Sequence, residues 1–178
     1  MVSSSSAICC AIVIVASFFI GSFGVSYKTL TKICSKTQNP KTCMTNLQTV
    51  PCTTSADLPE LSLISIELAG KQADQNLETF RELSHNATAA KMKEEFDTCV
   101  RFYKEVRPQI QAAHLLSQKR QYENNSALLQ ANEFALRCSL GISVDSLEIN
   151  QLQESVLLKL DTSISVNRYI ALAQLNKF

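Results

Sequence analysis

The chain has 178 residues, with 17 Lys and Arg against 16 Asp and Glu and a formal net charge of +1. A nucleic-acid surface needs a clustered basic face, so these interleaved charges argue against nucleic acid as a partner. Only four glycines occur and Trp is absent. Sheets and enzyme loops usually need more glycine for their turns, and the composition therefore favours an all-α protein.

An apolar stretch opens the chain. Residues 7–20 have the length of a signal-peptide core and are too short to cross a bilayer comfortably. Small residues at Ser22, Gly24 and Ser26 predict cleavage after Gly24 or Ser26, so residues 1–26 are assigned to a signal peptide. A signal anchor is the alternative, because no Lys or Arg precedes the apolar stretch. No second apolar run follows, and we expect a secreted, soluble chain without membrane contact.

Two short helices are predicted next, at about residues 27–34 and 40–47. Asn39 is a suitable N-cap, and Pro40 then occupies the first helical position, where its missing N–H costs nothing. These two helices form a hairpin over residues 27–50.

The first long helix is predicted to run from Asp57 to about Leu83. Asp57 is its N-cap and Glu60 is the capping-box partner three residues on. Apolar residues at helical spacing mark its inner side: Leu61, Ile64, Leu68, Ala73, Leu77 and Phe80.

The second long helix has the most regular pattern in the chain. Pro108 is expected to kink it near Lys104, whose carbonyl loses its partner. Its apolar residues alternate steps of four and three, as in helix bundles: Met92, Phe96, Cys99, Tyr103, Val106, Ile110 and Ala113.

Capping residues delimit the last two helices. Asn125 or Ser126 can cap the third long helix, and Gly141 is expected to end it as the C′ residue. Asp145 and Glu148 lie where the fourth helix begins, and its apolar pattern continues almost to the C-terminal end.

The predicted fold class is therefore all-α. Residues 27–178 are expected to form one domain, in which a disulfide-closed α-hairpin at 27–50 precedes an antiparallel four-helix bundle at 57–178. About 150 residues suffice to bury a sizeable core.

Five cysteines follow residue 30, in a context where oxidation is available. Cys34 and Cys43 are predicted to close the hairpin, and Cys99 and Cys138 to join the second and third long helices. Cys52 is then left as a free thiol in the linker, with intermolecular pairing as the alternative.

Nothing in the sequence predicts a catalytic site, a metal site or a cofactor. His85 and His114 lie far apart and outside any metal or triad pattern. The adjacent Glu94 and Glu95 are interpreted as a solvated helix face. Asn86 and Asn124 each begin an N-glycosylation sequon.

Several of these residues resemble a known family. The run from Ile33 through Cys43, the tripeptide ending at Cys99, and Tyr103 with Cys138 beyond it closely resemble the plant invertase and pectin methylesterase inhibitor family. The resemblance implies a secreted monomer with an α-hairpin and a four-helix bundle. It would bind a cell-wall enzyme one-to-one and block its active-site cleft. A helical signalling protein that binds a receptor remains the alternative from composition alone.

Two features bear on the target enzyme. Residues 119–125 lack the Pro-Lys-Phe tripeptide of invertase inhibitors and resemble the Asp-Tyr segment of pectin methylesterase inhibitors, with Gln121 in place of Asp. Against this, Arg137 stands where those inhibitors often have Thr. We expect pectin methylesterase in the apoplast as the target, with acid invertase, in the cell wall or the vacuole, as the alternative.

The expected mechanism is steric occlusion by the second and third long helices. The residues expected to lie across the enzyme groove are Glu105, Gln109, Tyr122, Asn125 and Arg137. Such an interface must bury roughly 1,000 Å² or more. Tyr122 is expected to be partly exposed, as an aromatic anchor at an interface would be.

Overall fold

The computed structural model describes residues 24–175, apart from the side chains of Cys52 and Thr54. Most of the predicted signal peptide, residues 1–23, lies outside this range. The described residues form six α-helices and a short 3-10 helix, with no strand, which confirms the all-α prediction. None of these helices is long and apolar enough to cross a membrane. The α-helices are α1 Tyr27–Cys34, α2 Pro40–Gln48, α3 Leu58–Asn86, α4 Ala90–Gln118, α5 Ser126–Gly141 and α6 Leu147–Leu175, with the 3-10 helix at Pro51–Thr54.

Two of the predicted helix starts are confirmed in atomic detail. The Asn39 side chain accepts a hydrogen bond from the Thr42 amide at 3.1 Å, with Pro40 opening α2. At the start of α3, Asp57 accepts from the Glu60 amide at 2.8 Å, and the Glu60 carboxylate accepts from the Asp57 amide at 3.0 Å. This reciprocal pair satisfies two amides that a helix N-terminus otherwise leaves without partners.

Other helix boundaries differ from the predictions. Helix α3 continues through Asn86, three residues beyond the expected end. Gly141 is the last residue of α5 rather than a C′ residue, and its φ is not positive. Helix α4 continues through Pro108 without a break, and the kink expected near Lys104 stays a prediction. Asn125 occupies the N-cap position of α5 without a capping hydrogen bond from its side chain.

Four of the six residues predicted on the inner side of α3 are buried, namely Leu61, Ala73, Leu77 and Phe80. The other two positions differ from the prediction. Ile66 and Ala69 are fully buried, whereas Ile64 and Leu68 are only half-buried. Helix α3 packs against both α4 and α6, so two neighbours together decide which of its residues are covered. A single apolar stripe is too simple a description of such a helix.

The four long helices pack around one hydrophobic core. Helix α4 lies between α3 and α5, and α6 closes the bundle against α3 and α5. The predicted stripe of α4 is confirmed, because its residues from Phe96 to Ala113 are buried. Phe80 of α3 stacks on Tyr103 with the ring centroids 5.6 Å apart, and lies 6.3 Å from Phe96.

A second buried cluster lies where the hairpin meets one end of the bundle. It is formed by residues of both short helices, by the start of α3, by the end of α6 and by one turn residue: Leu30, Ile33, Leu47, Leu61, Val166, Ile170 and Tyr122 among them. Two hydrogen bonds join the hairpin to α6. Ser165 donates from its hydroxyl to the Ile33 carbonyl at 2.8 Å, and the Gln38 amide donates to Asp161 at 2.7 Å.

Two disulfides join helices. Cys34 is bonded to Cys43 across the hairpin, and Cys99 of α4 is bonded to Cys138 of α5, with Cα atoms 5.5 and 4.7 Å apart. In the chain-entropy model these loops stabilise the fold by about 3 and about 4 kcal/mol. The second bond also fixes how α4 and α5 lie along each other.

A polar network of mostly half-buried side chains joins α3 to α6. The Gln72 amide nitrogen donates to Asn76 at 2.8 Å, while the Gln72 oxygen accepts from Ser155 and from Lys159, each at 2.9 Å. Burial lowers the pKa of the Lys159 ammonium. Polar groups that are shielded from water cost little when each has a hydrogen-bond partner, and these four side chains all have one.

Candidate target-binding surface

A shallow groove runs between α4 and α5 on the outside of the bundle. Phe102 and Phe134 lie in it from the two helices, with ring centroids 6.4 Å apart and planes tilted by 31°. Polar and charged residues line the rest of the groove: Thr98, Arg101, Lys104 and Glu105. An apolar centre with a charged rim is the arrangement that protein interfaces favour.

The outer side of α5, opposite its buried residues, is unusually apolar for an exposed helix surface. Leu129, Leu136 and Leu140 are 47%, 42% and 78% exposed. Their spacing of seven and four residues places them on one side of the helix. The sequence alone does not assign these leucines to a surface, because helical spacing does not distinguish an exposed apolar row from a buried one.

One of the five predicted binding residues, Glu105, lines the groove between α4 and α5. Three others lie elsewhere on α4, on α5 and in the turn before α5. Glu105 is exposed, and Gln109 is half-buried one turn further along α4. Arg137 is exposed on α5 and pairs with Glu133. Asn125 is half-buried beyond the opposite end of α5, where its amide donates to the Tyr122 carbonyl at 3.3 Å.

The expectation for Tyr122 was wrong. Its side chain is 0% exposed and belongs to the cluster between the hairpin and the bundle, so it contacts the core of this protein and not a partner. The turn after α4 folds inward at Tyr122, and the aromatic ring fills the space between the hairpin and the four-helix bundle. Burial raises the pKa of the Tyr122 hydroxyl, which has no hydrogen-bond partner within the described residues.

The turn that carries Tyr122 contains the one backbone conformation of positive φ among the described non-glycine residues, Arg120 at 59°. The Gln121 amide donates to the Leu116 carbonyl at 3.0 Å, and the Arg120 amide donates to the Ser117 carbonyl at 2.9 Å. These two bonds form a Schellman motif, in which the residue of positive φ is usually Gly. Arg120 is therefore held in a costly conformation by the chain on either side.

The two glycosylation sequons lie at the surface. Asn86 is exposed at the end of α3, and Asn124 is exposed in the turn before α5. The Asn124 side chain accepts hydrogen bonds from the Ser126 amide at 3.2 Å and from its hydroxyl at 2.7 Å. The side chain of Cys52, expected to be a free thiol, lies outside the described part of the chain.

The titratable side chains near this surface have structural roles. Hydrogen bonds from the Ser143 hydroxyl and amide, at 2.7 and 3.1 Å, lower the pKa of the Glu95 carboxyl. Glu95 thus holds the α5–α6 loop, whereas the sequence suggests a solvated face. The Ser84 hydroxyl and Lys93 likewise lower the pKa of Asp97. In the part of the chain described, no group of three His, Cys, Asp or Glu could hold a metal ion.

Comparison with known proteins identifies the family. The model of the plant invertase/pectin methylesterase inhibitor family matches residues 28–166. The chain is 35% identical over 74 residues to a pectinesterase inhibitor of Actinidia deliciosa, and 30% identical over 89 residues to pectinesterase inhibitor 2 of Arabidopsis thaliana. These alignments cover 42% and 49% of this chain, and span 40% and 51% of the length of the two relatives.

Solved structures share the fold. A mutant form of a pectin methylesterase inhibitor from Arabidopsis matches with a TM-score of 0.70 at 19% identity, over 78% of this chain and 95% of that one. A pectin methylesterase inhibitor from Arabidopsis thaliana matches with a TM-score of 0.60 at 16% identity, over 81% and 97%. The fold agrees with the family match over most of the chain. The chain therefore belongs to the plant invertase/pectin methylesterase inhibitor family.

Proposed function

We propose that this chain is a secreted inhibitor that binds a pectin methylesterase one-to-one in the apoplast and occludes its active-site cleft. The observation that carries the proposal is the groove between α4 and α5, where two aromatic rings are bordered by charged residues. A row of exposed leucines lies on the outer side of α5. Two relatives named as pectinesterase inhibitors support the choice of enzyme.

The architecture suits this mechanism. The Cys99–Cys138 disulfide joins the two helices that carry the surface, so little backbone entropy would be lost on binding. Phe102 and Phe134 are the aromatic residues nearest the centre of the groove, where interface residues contribute most to affinity. Glu105 lines the groove, and Arg137 is exposed on α5 three residues after Phe134. Charges at the rim of an interface chiefly affect the association rate and the salt dependence.

Acid invertase, in the cell wall or the vacuole, is the second candidate. Arg137 favours it, since the resemblance to pectin methylesterase inhibitors implies Thr at the residue before the last framework cysteine. The absence of Pro-Lys-Phe from residues 119–125 favours pectin methylesterase.

Two parallel assays separate the candidates. Methanol release from methylated pectin is measured with increasing inhibitor, beside sucrose hydrolysis by an acid invertase. We expect the first activity to fall to zero near one inhibitor per enzyme and the second to be unchanged. The opposite pattern would select invertase, and no effect in either assay would overturn the proposed function. Size-exclusion chromatography of the mixture should show a complex with one copy of each protein.

A further inference from the structure

Charge is distributed unevenly between the hairpin and the bundle. Residues 24–56 contain four of the 17 basic residues and none of the 16 acidic ones. The hairpin segment therefore carries a formal charge of +4, and the 13 basic and 16 acidic residues that follow give the bundle −3. Such a separation creates a local positive potential on a chain whose net charge is close to zero.

Three of these cations form a row on α1 and its end. Lys28, Lys32 and Lys36 follow one another at intervals of four residues and are all exposed. Neighbouring members of the row are offset by about 6 Å along the helix axis. Arg168 of α6 faces the row across a groove that Lys32 and Lys36 also line.

Apolar side chains of α6 also line this groove. They are Tyr169 and Leu172, of which Leu172 is 60% exposed. One acidic group, Asp161, lies in the same groove and accepts a hydrogen bond from the Gln38 amide at 2.7 Å. With Asp161 counted, the three cations that line the groove leave a local excess of positive charge.

In the described part of the chain, the four cations beside the groove are not held in ion pairs. Within residues 24–175, none of the three lysines of the row forms a salt bridge, and neither does Arg168. Cations of the bundle that do form one are Arg81, Lys91, Lys93, Arg107 and Arg137. The surface beside the groove therefore has positive charge available to an external anion.

We propose that the groove between α1 and α6 binds a run of acidic sugars, each with one carboxylate, as in pectin whose methyl esters have been removed. The carboxylates would lie against Lys32, Lys36 and Arg168, and the apolar face of a sugar ring against Tyr169. The choice of polyuronate rests on the proposed function, because a pectin methylesterase produces these carboxylates. The surface lies at the hairpin end of the bundle, so binding there would hold the inhibitor on the polymer where its target has acted.

Direct binding without any enzyme tests the proposal. The full secreted chain is titrated with polygalacturonate and with highly methylated pectin of similar length. We expect affinity for polygalacturonate to be at least about tenfold higher, and to fall steeply between about 0.05 and 0.5 M NaCl as charges are screened. Equal affinity for the two polymers would overturn the proposal.

A matched pair of charge reversals locates the site. Lys32→Glu with Lys36→Glu should lower affinity for polygalacturonate at least about tenfold. Arg81→Glu with Lys91→Glu makes the same change in net charge at the far end of the bundle, and should leave affinity within about threefold. Loss in both variants, or in the control alone, would contradict the assignment.

Two further measurements distinguish polyuronate binding from membrane binding and from enzyme inhibition. Binding to vesicles that contain anionic lipid but not to polygalacturonate would overturn the proposal in favour of a membrane surface. The Lys32→Glu, Lys36→Glu variant should still inhibit pectin methylesterase acting on a short methyl ester substrate. Failure of polyuronate binding and failure of the proposed inhibition are thereby distinguished, since the two assays share no component except the chain.

Discussion

The Asn76 side chain donates a hydrogen bond of 2.7 Å to the Tyr103 hydroxyl in the middle of the bundle. A second bond of 2.9 Å runs from the same amide to the Leu152 carbonyl. One side chain of α3 thus holds both α4 and α6, and Tyr103 is the buried titratable group that this contact involves.

Burial makes this pair a source of alkaline sensitivity. Desolvation raises the pKa of Tyr103 above its ordinary value near 10. Below pH 10, Tyr103 is neutral in both the folded and the unfolded chain, so its contribution to the free energy of unfolding is fully present. Above that pH the unfolded chain loses the proton first, so stability falls, by at most about 1.4 kcal/mol per pH unit.

Urea unfolding from pH 8 to 11 measures this loss. Tyr103→Phe should cost about 1 kcal/mol at pH 8 through the lost hydrogen bond, and should unfold with a shallower alkaline slope than the parent. A variant with the parent's slope would show that Tyr103 does not cause the alkaline loss.

Tyr122 should behave as a core residue. Tyr122→Ala should cost about 3–5 kcal/mol, as truncation of a buried aromatic does, and any loss of inhibition would follow from unfolding. Tyr122→Phe removes a buried hydroxyl that has no partner among the described residues, so stability should stay within about 1 kcal/mol of the parent or rise. Thermal unfolding followed by circular dichroism measures both. A loss beyond about 2 kcal/mol in Tyr122→Phe would mean that the hydroxyl is hydrogen-bonded.

Tyr122 also shows which features could not be predicted from the sequence. The stripe of α4 and the capping box at Asp57 follow from periodicity and local hydrogen bonding, and the structure has both. The turn before α5 has no periodicity, and its tyrosine is buried only because the hairpin covers it. The exposed leucines of α5 and the cations beside the α1–α6 groove depend on which helices become neighbours. The local sequence pattern of one helix does not show which other helices will pack against it.

Arg120 should be replaceable by glycine. Its φ of 59° costs an L-residue about 1–2 kcal/mol, which glycine avoids, although glycine also makes the unfolded chain more flexible. We expect Arg120→Gly to leave stability unchanged or raise it by about 1 kcal/mol, and Arg120→Val to lower it by more than about 1 kcal/mol. Chemical denaturation compares the two. A lower stability of Arg120→Gly than of Arg120→Val would contradict the positive φ at this residue.

Contacts of Val25 and Ser26 predict which of the two possible cleaved chains is the more stable. The Val25 amide donates to the Ala56 carbonyl at 2.8 Å, and Ser26 caps α1 by accepting from the Thr29 amide at 3.2 Å. A chain that begins at Val25 keeps the Ser26 cap, and its N-terminal ammonium can still donate to the Ala56 carbonyl. A chain that begins at Tyr27 loses both contacts and should be less stable by about 1–2 kcal/mol. Ser26→Ala in the longer chain should reproduce part of the loss. Equal stability of the two chains would show that neither contact contributes.

The inhibition constant of a surface variant for pectin methylesterase tests the central claim most directly. Glu105→Lys with Leu136→Asp alters exposed positions on α4 and α5, and Glu154→Lys with Leu175→Asp makes the matched change on α6. Methanol release is measured for the parent and both variants after circular dichroism has shown that all are folded. We predict that the first variant inhibits at least about tenfold less tightly, about 1.4 kcal/mol, and that the second inhibits like the parent. Parent-like inhibition by the first variant together with loss in the second would contradict the account and place the contact surface on α6.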